Sequence, residues 1–121
     1  MAQDEWIVEF YVGPSGTRPV NEFIEGLDSK AKARLIGAIE RLRVLNVNAK
    51  EPLVRYIEGK LYELRRESDT NIYRLMYFFF TGRRVVFLHG FQKKTQKTPR
   101  REIETALRRM NDFMQQEEAK E

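Results

Sequence analysis

The chain has no cysteine and one histidine among its 121 residues. The first absence excludes disulfides, thiolate metal sites and a cysteine nucleophile, and fits a reducing compartment. The second disfavours a histidine-built zinc site, so no metal and no cofactor are expected. Long apolar runs are also missing, since nothing approaches the roughly 20 apolar residues that span a bilayer. The start, Met-Ala-Gln-Asp-Glu-Trp, lacks the basic and apolar stretches of a signal peptide. The expectation is a soluble cytoplasmic protein with no membrane role. Acid is missing locally as well. Residues 83–101 carry seven Lys or Arg and no carboxylate, while residues 1–28 carry six carboxylates against Arg18 alone. Such a one-sided basic segment points to an anionic partner, nucleic acid before others.

What is present is the composition of a folded globule: 41% hydrophobic residues, with eight Phe, five Tyr and one Trp. One domain over residues 1–121 suffices, with no internal repeat. Residues 5–12 alternate loosely and are rich in aromatic and branched side chains, which reads as a first strand closed by Gly13-Pro14-Ser15-Gly16. A short helix over residues 19–27 follows. Ser29 is the expected N-cap of a longer one ending near Asn46, with Leu35, Ile36, Ile39, Leu42 and Leu45 on its buried face. Its charged outer face, including Arg34, Arg41 and Arg43, reads as solvated. After a linker over residues 46–52, three apolar runs at 60–66, 72–80 and 84–91 form an antiparallel meander. Thr98 is the expected N-cap and Pro99 the first residue of a last helix, whose stripe is Ile103, Ala106, Leu107, Met110, Phe113 and Met114. Residues 115–121 read as a frayed tail. The class is α+β, with the helices expected on one face of the sheet and polar side chains free to line the other.

Three polar features stand out in the strands. Arg74 interrupts an apolar run and needs either an anion or a wet face; an ion pair with Glu63 and a cation offered to phosphate both satisfy it. His89 ends a strand beside the lysine-rich segment, as a packed residue or as an acid or base. Glu63 and Arg65 share one side of their strand, opposite Tyr62 and Leu64.

The runs Gly59-Lys-Leu-Tyr-Glu-Leu-Arg65, Tyr73-Arg-Leu-Met-Tyr77 and Leu88-His-Gly-Phe-Gln-Lys-Lys-Thr-Gln-Lys-Thr-Pro99, followed by Glu102-Ile-Glu104 and Ala106, resemble the phage-derived, HigB-like branch of the RelE/ParE toxin superfamily. The resemblance covers about residues 5–110. It implies a small α+β toxin of a type II toxin–antitoxin pair that cleaves mRNA on the ribosome without metal, using the RNA 2′-hydroxyl as nucleophile. The partner it implies is a helix-turn-helix, HigA-like antitoxin. Carried over by position, Arg74 is the candidate phosphate clamp and Arg65 its assistant. Glu51 is a candidate base, His89 an acid or base, and Lys94 a charge stabiliser. Lys60, Lys93, Lys97, Arg100 and Arg101 are the candidate RNA contacts. The sequence departs from RelE where paired lysines give way to Leu61 and Glu63, and it lacks the late Tyr or Asp-Tyr-His element. Two other readings stay open on the same fold: a ParE-like toxin that acts on DNA gyrase, and a binding module without chemistry.

Overall fold

A computed structural model describes residues 5–93 and 97–120. The elements are β1 (Ile7–Phe10), α1 (Pro19–Glu25), α2 (Ser29–Leu45), β2 (Val54–Glu58), β3 (Leu61–Ser68), β4 (Asn71–Phe80), β5 (Arg84–Lys93) and α3 (Arg100–Ala119), with a 3-10 turn at Asn46–Asn48. The α+β class is as the sequence indicates. The strands form a single sheet in the order β1-β5-β4-β3-β2.

The antiparallel meander has four strands, not three. β2 pairs with β3, Val54 opposite Leu64 and Arg55 opposite Glu63. This strand is easily missed because it is a short edge whose Arg55 and Tyr56 are both exposed, which blurs the alternation that marks a strand. β1 joins the far side in parallel with β5, in the register Ile7 to Arg84 and Phe10 to Phe87.

The helices do not share one face. α1 and α2 cover one side of the sheet, where Val20, Ile24, Leu35 and Leu42 pack with Leu64, Leu75, Tyr77 and Phe87. α3 covers the other, bringing Ile103, Met110 and Phe113 onto Leu61, Met76, Phe78, Val86 and Leu88. The strands anticipate this, because residues 75–80 of β4 and 85–88 of β5 are apolar at every position, as a strand covered on both faces must be. Ile36, expected in the core, is instead 50% exposed.

The helix starts also differ from expectation. Asp28, not Ser29, caps α2 by accepting from the Ala31 N–H at 2.8 Å. Pro99 occupies the N-cap position of α3, and Thr98 gives no cap bond because its hydroxyl turns inward. Residues 115–119 are not frayed: α3 continues to Ala119, with Gln116 donating to the Val12 carbonyl and Glu117 paired to Arg84 at 2.9 Å. Among the described residues no helix is long and apolar enough to cross a membrane.

One irregularity positions the site. Met76 pairs with His89 but Tyr77 pairs with Phe87, so Leu88 is an extra residue in β5. Without that bulge a period of two would send Leu88 and His89 to opposite faces. With it, Leu88 joins the core under α3 while His89 bonds to α3 itself. Gly90 then faces α1, where a Cβ would lie 2.5 Å from the Phe23 ring and 2.9 Å from Leu75. Gly90→Ala should therefore destabilise by about 1–3 kcal/mol through overpacking. Gly37→Ala on α2, where a Cβ meets nothing within 4 Å, should stabilise by about 0.5–1 kcal/mol. Thermal unfolding of both variants checks the pair; equal shifts would mean that α1 does not seat on Gly90.

Candidate functional site

β3 and β4 place Arg65 directly opposite Arg74, and β5 places Phe91 opposite Arg74. Glu63 lies two residues from Arg65 and so shares its face, beneath the start of α3. Glu63 and Arg74 are both fully buried. Burying charge is costly unless it is paired and hydrogen-bonded, and here the groups supply each other's partners. Arg65 Nε donates to Glu63 Oε1 at 2.6 Å. The Thr98 hydroxyl donates to Glu63 Oε2 at 2.8 Å and accepts from Arg74 Nη1 at 3.3 Å. Arg74 Nη1 stands 4.0 Å from Glu63 Oε1, and its guanidinium lies 5.7 Å from the centre of the Phe91 ring. Burial lowers the Arg74 pKa, Glu63 raises it, and the charges of Arg65 and Arg55 lower it again. The ion pair and the cation offered to phosphate were two readings of Arg74. Arg74 is fully buried, with Arg65 opposite it on β3.

Arg65 leads outward. Its side chain is 14% exposed and lines a cleft of about 690 Å³ between the end of α2, residues 48–53 and the β3–β4 hairpin. Arg41, Lys50 and Arg66 bring further cations to this cleft, Glu51 stands exposed on it, and Leu45 and Leu53 supply apolar wall. Of the residues singled out from the sequence, it joins Arg65 and Glu51. Lys50 and Arg66 escaped notice, and Arg41 read as solvated, because a charge on the outer face of an amphipathic helix looks like every other solvated charge. A smaller groove of about 370 Å³ runs between β2 and the approach to α3, with Arg55, Lys97, Thr98 and Ile103 along it.

His89 lines neither cavity. Its Nδ1 lies 3.0 Å from Arg109 Nη1, and its Nε2 lies 2.6 Å from Glu102 Oε1. A guanidinium can only donate, so Nδ1 is the acceptor and Nε2 carries the proton given to Glu102. These partners assign a neutral imidazole with both nitrogens engaged. Burial lowers its pKa, the Glu102 bond raises it, and the Arg109 and Arg108 charges lower it further. Arg109 also donates to the Leu88 carbonyl at 3.0 Å, so the histidine fastens the middle of α3 to the bulge.

The remaining cations are dispersed. Lys60 is exposed at the β2–β3 turn, Lys93 is half-buried at the end of β5, and Lys97 is exposed. Arg100 is paired with Glu58 at 2.6 Å and Glu104 at 3.4 Å. Arg101 is 76% exposed and 3.6 Å from Glu102. Lys94 lies outside the described residues.

The chain belongs to the family described as "Phage derived protein Gp49-like (DUF891)", whose profile matches residues 22–111. Two similar proteins come from Mycobacterium tuberculosis, strains CDC 1551 / Oshkosh and ATCC 25618 / H37Rv. Each is called "Probable endoribonuclease HigB1" and is 37% identical over 103 residues, covering 84% of this chain and 79% of the relative.

Two outcomes follow from this geometry. Glu63→Ala should cost about 3–5 kcal/mol, because Arg74 stays buried without its nearest described carboxylate, whereas joint replacement of Glu63 and Arg74 by Met should cost far less. Denaturant unfolding decides; equal losses would remove the charge-pairing account. His89 has a folded pKa below its unfolded value of about 6.5, so the unfolded state binds more protons as pH falls through that value and the fold loses stability. The stability difference between wild type and His89→Asn should therefore shrink from pH 7 to pH 5.

Proposed function

We propose that this chain is an endoribonuclease, the toxin of a toxin–antitoxin pair, and that it cuts mRNA held on the ribosome. The observation that carries the reading is the cleft in which two exposed carboxylates, Glu51 and Glu67, stand among Arg41, Lys50, Arg65 and Arg66. Its volume of about 690 Å³ falls within the roughly 300–1,000 Å³ usual for small-ligand sites, enough for part of a nucleotide chain. The names of the two relatives support the same activity.

RNA cleavage requires the 2′-hydroxyl to lose its proton and attack the adjacent phosphorus. A P–O2′ bond forms, the P–O5′ bond breaks, and the leaving 5′-oxygen takes up a proton. Glu51 is the base for the first proton. Arg65, backed by the buried Glu63 and Arg74, meets the charge that grows on the phosphoryl oxygens, a task suited to a planar guanidinium. Lys50 lines the same cleft and can protonate the 5′-oxygen. Lys97 and Arg55 extend positive charge along the smaller groove, where the RNA backbone leaves the site. His89, with both nitrogens engaged, holds α3 in place. The antitoxin, a helix-turn-helix, HigA-like protein, would block the cleft with carboxylates of its own.

Pulse expression followed by mapping of transcript 5′ ends tests the reading. Wild type should produce new 5′-hydroxyl ends within translated regions. Glu51→Gln should reduce cleavage about 10²–10⁴-fold, and Arg65→Ala about 10²–10³-fold. Growth arrest with intact RNA and altered DNA supercoiling would sink the endoribonuclease reading in favour of a gyrase-directed toxin.

A further inference from the structure

The buried carboxylate of Glu63 touches both the cleft arginine and the segment entering α3. Its oxygens sit closer to Arg65 than to Arg74. Oε1 is 2.6 Å from Arg65 Nε and 4.0 Å from Arg74 Nη1, and the Thr98 hydroxyl stands between the other oxygen and Arg74. The close bond goes to Arg65, which also lines the large cleft. Gripping an arginine at Nε fixes the torsions that aim its guanidinium, so less freedom is lost when it meets a phosphate. Thr98 in turn fixes the carboxylate, through a hydroxyl expected to cap α3 and spent here instead.

We propose that Glu63 is a positioning residue that aims Arg65 into the cleft, and that Thr98 holds Glu63 in the orientation this requires. The role rests on the endoribonuclease reading. Glu63 touches no substrate; it acts through Arg65, in the transition state more than in RNA binding, so its removal lowers kcat and leaves KM nearly unchanged.

The test uses the full chain and ribosomes programmed with a short mRNA, assayed below the melting temperature of each variant. Thr98→Val keeps the shape and removes the donor; it should lower kcat about tenfold, the scale of one lost hydrogen bond to a charged group. Thr98→Ser should restore it. Glu63→Gln should lower kcat about 10²-fold, with KM within about twofold. In an Arg65→Ala background, neither Thr98→Val nor Glu63→Gln should cause further loss, since what they position is gone. Thr98→Val is the informative variant if Glu63→Gln does not fold. Losses that multiply in the Arg65→Ala background, or a Thr98→Val enzyme with wild-type kcat, overturn the proposal while leaving the endoribonuclease reading intact. A wild-type protein that cuts no programmed mRNA overturns that reading and this role with it.

Discussion

The Glu63 carboxylate is the constraint on which the rest of the structure turns. It is fully buried on β3, bonded to Arg65 and Thr98 and near Arg74. Strands β3 and β4 must pair in one register to set the two arginines side by side, because a slip of one residue would send them to the opposite face. The approach to α3 must then bend inward to deliver Thr98. Sheet register, helix entry and the contents of the cleft are thereby linked through one charge.

α3 is fastened at several points along its length. Arg100 pairs with Glu58 at its start, Arg109 and Glu102 take the two nitrogens of His89, and Glu117 reaches Arg84 near its end. The ring of Phe113 makes T-shaped pairs with Phe78 and Phe80, their centres 5.8 and 5.3 Å apart. These contacts explain the exposure pattern of a helix rich in charge: Ile103, Ala106, Met110 and Phe113 are its buried stripe, while its arginines and carboxylates serve as clamps at the rim.

Much of the fold was legible because period and punctuation were strong. The hairpin at Thr81-Gly82 and the stripe of α3 follow from local signals alone. β2 was not legible, since an exposed edge strand shows little alternation. The side taken by each helix was not, since amphipathicity gives a face but not its partner. Thr98 illustrates the limit well: Thr before Pro reads as a cap, and only the tertiary demand of a buried Glu63 diverts it. The site was partly readable. Arg65, Arg74 and Glu51 carried family-like spacing, but nothing local marked Arg74 as buried or His89 as saturated, because both conditions depend on residues from α3. The bulge at Leu88 left no trace in composition.

The pairing of β1 with β5 sets Ile7 opposite Arg84, 77 residues further along the chain. Contacts so distant in sequence close late, because loop entropy must be overcome before they reward the chain. During synthesis Trp6 and Phe10 therefore wait for Phe79 and Phe87, their ring partners. Thr98, the partner of Glu63, is made later still. A chain emerging from its own ribosome cannot assemble its charge cluster until Thr98 has been made, so the arrangement is a late event of biosynthesis rather than a property of any fragment that stops short of that residue.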